Sequence, residues 1–235
     1  MKKLTILTVL ATALFLSVVS SVSAGLSGSV YTAGVSKYLW RGQLLSDAPA
    51  IQPGFTLNLN KFSFGYWGSY HGFDSTPNYN ESDYTFSFMD TVPYLDVLSV
   101  KAGFTVYTFP YSAPSANNST EIFGGLVLGT LLTPTVTFYY DPTLGMGGYV
   151  EGGISHSYTF DALKELSVSG ALSAGYNFGQ WAYTPSFTAL AATVGVSYTI
   201  AGFVLTPSVI MQLALDSQYK SFAIGSLSLA YNFSL

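Results

Sequence analysis

Seven charged side chains stand within stretches that otherwise alternate oily and small residues: Lys37, Arg41, Asp83, Lys101, Glu121, Asp141 and Glu151. With Tyr107, Tyr139 and Tyr149 on the same parity, they could line a water-filled passage and sort ions by charge. They could equally pair with one another and fill a narrow interior. Covalent chemistry has much less to work with. Gly153-Ile-Ser-His-Ser157 sets a serine beside a histidine, but it is not G-x-S-x-G, and adjacent strand residues point to opposite faces. A barrel lipase would need a Ser–His pair formed across strands, so no catalytic residue is assigned. His71 and His156, the two histidines, read as interfacial groups rather than metal ligands. There is no cysteine, hence no thiolate site, and neither metal nor cofactor is expected. Gly145-Met-Gly-Gly148 lacks the Lys-Ser/Thr of a phosphate loop and reads as a turn.

The composition says what kind of scaffold must hold these groups. Of 235 residues only 20 are charged, 8 basic and 12 acidic, about 9%. Soluble domains carry about 25%, so the usual charged coat is missing. Aromatic residues make up 16% (18 Tyr, 17 Phe, 3 Trp), which excludes disorder. The lack of a basic surplus argues against nucleic acid as a partner. A membrane is the environment left to test.

Lys2 and Lys3 precede an apolar run from Leu4 to about Val19, followed by Ser20-Ser21-Val22-Ser23-Ala24. This is the pattern of a signal peptide, residues 1–24, with cleavage expected before Gly25. Removing Lys2 and Lys3 leaves six bases against twelve acids, a net charge of −6. Residues 25–235 contain no further apolar run long enough for a membrane helix.

They alternate instead. In Phe62–His71 the even positions Phe62, Phe64, Tyr66 and Tyr70 are greasy and the odd ones mostly small or polar. Leu98, Val100, Ala102, Phe104 and Val106 oppose Ser99, Lys101, Gly103, Thr105 and Tyr107 in the same way. Near the end Leu227, Leu229, Tyr231, Phe233 and Leu235 share one face. Side chains alternate along a strand, so each stretch has one oily flank and one polar flank. Twelve such segments follow one another: about 28–41, 51–60, 62–71, 82–92, 98–107, 120–129, 133–141, 148–158, 165–176, 187–200, 203–213 and 222–233. Most have the length of a tilted strand crossing a bilayer, and their number is even.

The connections fall into two classes. The odd-numbered ones (42–50, 72–81, 108–119, 142–147, 177–186, 214–221) are longer on average and rich in Pro, Asn, Ser and Asp, as extracellular loops are. The even-numbered ones (61, 93–97, 130–132, 159–164, 201–202) are short, as periplasmic turns are. In hydrocarbon only a closed sheet pairs every backbone group without helices. The expected fold is therefore all-β, a closed antiparallel transmembrane β-barrel of about twelve strands. Tyr38, Trp40, Trp67, Tyr70, Tyr140 and Tyr158 are expected in its interfacial girdles. A secreted β-sandwich also alternates, but it normally charges its water-facing side, whereas Ser, Thr, Gly and Asn dominate here. Pro207, inside a segment, should sit at a bulge or strand end. Twelve strands at ~4.8 Å spacing and ~40° tilt imply a backbone diameter of roughly 24 Å and a lumen near ~10 Å. Because a charge facing lipid costs up to ~2–4 kcal/mol, the seven charged residues are placed inward as pore-lining.

Around the first connection the sequence resembles a family. Tyr38, Arg41, Gly42, Ser46, Asp47, Pro49 and Gln52 match the Tyr-x-x-Arg-Gly signature, Ser-Asp pair and Pro-x-x-Gln of the TorF-type outer-membrane porins. The match covers about 25 residues. It implies an outer-membrane location and a passive pore. The chain ends on Leu235 rather than an aromatic residue, although Phe233 lies on the same face. Arg41, where the first strand meets its loop, could pin that loop through carbonyls or Asp47, or line the mouth.

The expectation is a porin-like channel in the outer membrane of a Gram-negative bacterium, passing small solutes or ions by diffusion. The excess of acids favours cations. The expected partners are the lipid bilayer, small solutes and the outer-membrane assembly machinery. The alternative is a non-conducting structural or adhesive barrel displaying loops 72–81 and 108–119.

Overall fold

A strand whose oily and polar residues alternate must present two different environments, and a sheet closed on itself supplies them. The computed structural model, described over residues 25–70, 81–110 and 118–235, has this form. The wall consists of β1 (Leu26–Val35), β4 (Ala50–Leu59), β5 (Phe62–Ser69), β6 (Glu81–Val92), β7 (Leu95–Thr108), β8 (Asn118–Leu128) and β9 (Thr135–Asp141), and continues through β10 (Gly147–Phe160), β11 (Leu163–Phe178), β12 (Ser186–Ile200), β13 (Phe203–Ala214) and β14 (Phe222–Ser234). Each strand pairs antiparallel with its neighbours, and β1 pairs with both β4 and β14, closing a twelve-stranded barrel. Two further strands, β2 (Tyr38–Trp40) and β3 (Gln43–Ser46), form a separate two-stranded sheet. Residues 1–24, where a signal peptide is expected, His71 and most of loops 72–81 and 108–119 lie outside the described residues.

The oily parity faces outward. Val30, Phe62, Phe64, Phe86, Phe104, Ile122, Leu126, Phe138, Val194, Leu227 and Leu229 are all exposed on the wall. Aromatic side chains on neighbouring strands pack along this belt, Phe62 on Phe86 and Phe86 on Phe104, each with ring centroids 5.9 Å apart. A closed single-layer wall excludes the sandwich alternative, which requires two stacked sheets.

Tight turns close the lower rim. Leu59 pairs with Phe62 across Asn60-Lys61, and Ile200 with Phe203 across Ala201-Gly202. Ala201 and Gly202 both have positive φ (51° and 85°), as a two-residue hairpin turn of the primed type demands. The turns expected at 93–97 and 159–164 are shorter than the sequence indicated. Register shifts at Thr91/Val92 and Thr159/Phe160 let the strands run on to Val92↔Leu95 and Phe160↔Leu163.

Three expectations are corrected. The first strand does not run to residue 41: it ends at Val35, where Ser36 N–H donates to the Gly225 carbonyl (2.9 Å) and Gly225 N–H to Ser36 Oγ (3.0 Å). Tyr38 to Trp40 belong to the β2–β3 hairpin instead. Pro207 sits at neither a bulge nor a strand end. Its register with β14 is regular, while on the β12 side the pairs between Gly195↔Ser208 and Tyr198↔Leu205 are missing without any shift. Proline has no N–H to give there, and a Ser197–Thr206 hydroxyl bond (2.8 Å) spans the gap. Finally, Tyr38, Trp40 and Trp67 are not girdle residues. Tyr38 is buried and packs on Trp67, ring centroids 5.4 Å apart, and Trp40 packs on Tyr107 inside the barrel, whereas Tyr70, Tyr140 and Tyr158 are exposed.

Candidate functional site: a hairpin docked in the lumen

The connection between β1 and β4 folds back into the barrel. Its turn is Arg41-Gly42, with φ 49° and 84°, between the paired residues Trp40 and Gln43. Gly42 suits this place on two counts. It tolerates the left-handed backbone, and a Cβ there would press on Thr188 Cβ at 3.0 Å.

The tip touches walls far apart in sequence. Arg41 makes a bidentate pair with Glu121 on β8, Nη1 donating to Oε2 at 2.6 Å and Nη2 to Oε1 at 2.7 Å. Arg41 Nη1 also donates to Gln180 Oε1 (3.0 Å), whose Nε2 donates in turn to Glu121 Oε2 (2.6 Å). Tyr107 Oη completes the carboxylate shell at 3.0 Å. The guanidinium lies 3.9 Å from the Tyr139 ring centroid, 4.5 Å from Trp40 and 4.8 Å from Tyr149. Both charges are nearly dry, with 9% of the Arg41 and 1% of the Glu121 side chain exposed. On the far side Gln212 Nε2 donates to the Gly42 carbonyl (2.9 Å), and at the base Tyr38 Oη donates to Glu81 Oε2 (2.7 Å). The hairpin thus bridges the lumen from β6 to β13, and every one of these ties to the wall runs through a side chain.

Gln180 arrives by an unusual route. It lies on the loop after β11, held by Asn177, whose Oδ1 accepts Gln180 N–H at 2.6 Å. The next two residues, Trp181 and Ala182, both have positive φ (58° and 62°), a conformation that costs a non-glycine residue about 1–2 kcal/mol. The chain accepts this strain to aim one amide at the ion pair.

Below the hairpin lies a second charged row. Paired positions Lys101, Gly125, Thr137 and Glu151 run side by side across β7, β8, β9 and β10. Gly125 leaves room for the lysine stem, since a Cβ there would meet Lys101 Cε at 2.9 Å. Further toward the rim of short turns a cavity of about 570 Å³ opens, lined by the hydroxyls of Ser155, Ser157, Ser169 and Thr193 and by Leu131 and Ala171. The lumen therefore has three levels: a docked hairpin, a Lys101/Glu151 row and a hydroxyl-lined vestibule.

The residues singled out in the sequence are distributed among these levels. Arg41 and Glu121 meet, while Lys101 and Glu151 share the lower row. Asp83 pairs in register with Tyr107 on the inner face beside Glu81. Asp141 is fully buried near the outer rim, where Ser119 Oγ donates to Oδ2 (2.5 Å) and Thr143 N–H and Oγ1 to Oδ1 (2.8 and 2.7 Å), so it ties down the loop after β9. Lys37 is not on the wall: it sits at the hairpin base and pairs with Asp47. The turn carries the Arg41 guanidinium into the barrel, so it pins the hairpin through Glu121 and Gln180 rather than through Asp47. Of the other signature residues, Gln52 Nε2 donates to Ser69 Oγ (3.2 Å) across β4 and β5, and Pro49 leads into β4. Sequence reasoning missed Glu81, Gln180 and Gln212. Glu81 and Gln212 lie on inward parity, but no local signal marks Gln180. His156 Nδ1 lies 2.8 Å from the Leu131 carbonyl, and no metal-binding cluster of His, Asp or Glu occurs among the described residues.

No protein-family model matches the chain, and no curated protein matches it in sequence. The likeness to solved structures is one of fold. An outer-membrane channel from Pseudomonas putida F1 aligns with TM-score 0.52 at 10% identity, over 89% of this chain and 95% of that one. The NanC porin aligns with TM-score 0.54 at 8% identity, over 88% of this chain and all of that one. The shared property is the fold. A closed barrel of this fold with a predominantly apolar outer belt is an integral outer-membrane β-barrel.

Proposed function

We propose that the chain is a porin-like channel through which small polar solutes or ions diffuse across the outer membrane. The TorF-type resemblance of Tyr38, Arg41, Gly42, Asp47, Pro49 and Gln52 supports the same reading. The observation that carries it is the layering of the inner wall. A vestibule edged by serine and threonine hydroxyls, with a Lys101/Glu151 row above it, supports a route for polar solutes, and no chemistry beyond binding and passage is needed. Inward-facing acids (Glu81, Asp83, Glu121, Glu151) outnumber the bases Arg41 and Lys101, so the open passage favours cations. Reversal potentials of the purified full chain in planar bilayers under a salt gradient test this. Cation selectivity is expected, and anion selectivity would overturn it. Glu151→Lys should shift the reversal potential toward anions with little loss of folded protein, because the residue faces the lumen rather than lipid.

The dry packing around Glu121 favours a second reading, a non-conducting barrel that displays its outer loops. Absence of any conductance from folded protein with the lumen cleared of the hairpin would select it.

A further inference from the structure

We infer that the β2–β3 hairpin is a gate rather than a fixed plug: docked, it closes the outer half of the lumen, and release of Arg41 from Glu121 and Gln180 opens the passage. The inference rests on the channel reading above.

Three independent observations point to a movable element. First, β2 and β3 pair only with each other, in a sheet separate from the wall. The hairpin can leave without breaking a single rung of the barrel, pivoting where the chain meets the wall at Ser36 and Ala50. Second, left-handed backbone gathers around the hairpin tip as well as in the short turns at the other end. Among the described residues eight non-glycines have positive φ, and Asn60, Tyr94, Thr133 and Ala201 occupy the tight periplasmic connections. The other four, Arg41, Met146, Trp181 and Ala182, are the hairpin tip, the loop that aims Gln180, and the segment beside it, where Trp181 N–H donates to the Gly145 carbonyl. Strain of this kind persists where the surroundings enforce it, and it gathers at switching sites. Third, the docked state leaves polar atoms unsatisfied. Gln43 Nε2 on the hairpin and Trp181 Nε1 on the loop that carries Gln180 are buried without a hydrogen-bond partner, and undocking would return Gln43 to water. Against these costs stand the Arg41–Glu121–Gln180 cluster, which holds the tip, and the single bonds of Gly42 to Gln212 and of Tyr38 to Glu81. An element held by a few side-chain contacts against local strain has a second, undocked arrangement within reach.

The test is single-channel recording from four folded proteins: wild type, Glu121→Gln, the double variant Arg41→Met/Glu121→Gln, and a chain with residues 37–47 replaced by a short Gly/Ser linker. Heat-modifiable migration on gels confirms folding of each. Glu121→Gln keeps the shape and removes the charge, and the double variant avoids leaving a buried cation alone. Wild type is expected to stay mostly closed with brief openings. Both latch variants should raise open probability roughly tenfold or more at unchanged unit conductance, and the linker chain should stay open. Latch variants that gate like wild type beside a conducting linker chain would show a fixed plug. Wild type conducting as fully as the linker chain would show that the hairpin blocks nothing. A folded but silent linker chain would instead remove the channel reading itself, and the gate with it.

Discussion

Arg41→Ala should expose the hairpin to protease while leaving the barrel wall intact. The substitution strands Glu121, 1% exposed, as a carboxylate facing Gln180 and Tyr107 with no cation. Removing one partner of a buried pair costs about 3–5 kcal/mol, and about 0.5–2 kcal/mol of cation–π attraction to Tyr139, Tyr149 and Trp40 is lost with it. The barrel does not have to absorb this cost, because undocking the hairpin hydrates Glu121 directly. Trypsin should therefore cut after Lys37, at the hairpin base, about a hundredfold faster than in wild type. Arg41→Lys keeps the charge but cannot make the bidentate fork, so it should fall between the two. Equal cleavage of all three proteins would show that the cluster does not hold the hairpin down.

The second expectation concerns two neighbours on β12. Val194 is exposed on the outer belt, whereas Thr193 lines the vestibule. Val194→Arg should destabilise the barrel by about 2–4 kcal/mol if it lies near mid-bilayer, because the guanidinium must be drawn to an interface or hydrated at depth. Thr193→Arg points into a cavity of about 570 Å³ and should cost well under half of that. Urea unfolding of both variants in lipid vesicles gives the comparison. A larger loss from Thr193→Arg would reverse the assignment of inside and outside for the whole wall.

Much of this architecture could be read before any coordinates, because period-two alternation is local. Each stretch such as Leu98–Tyr107 declares its own two faces, and closure follows from the cost of unpaired backbone in hydrocarbon. Parity placed Glu121, Lys101 and Glu151 on the inner side without knowledge of their partners. What parity cannot convey is height along the barrel axis or contacts across it. Asp141 shares its parity with Tyr139 but stands at the outer rim, where Ser119 and Thr143 consume its oxygens. The hairpin was hidden because no Pro or Asn-Gly marks the bend at Ser36-Lys37, and the apolar run Tyr38-Leu39-Trp40 reads as more of the same strand. Its docking depends on Glu121, 80 residues away, and Gln180, 139 away. Arg41-Gly42 was a weak turn signal, since Asn-Gly or Asp-Gly is the usual primed pair. Gln180 was invisible: its neighbours Gly179, Trp181 and Ala182 carry no periodicity, and only the backbone reversal around them aims it inward.

That the hairpin leans on the wall through side chains alone also bears on biogenesis. It belongs to the first loop to be synthesised, yet its anchors sit on β6, β8 and β13 and on the loop after β11, most of which emerge much later. Seating must be a late maturation event that follows ring closure, and a newly inserted molecule would pass through an interval in which Arg41 and Glu121 have not yet met.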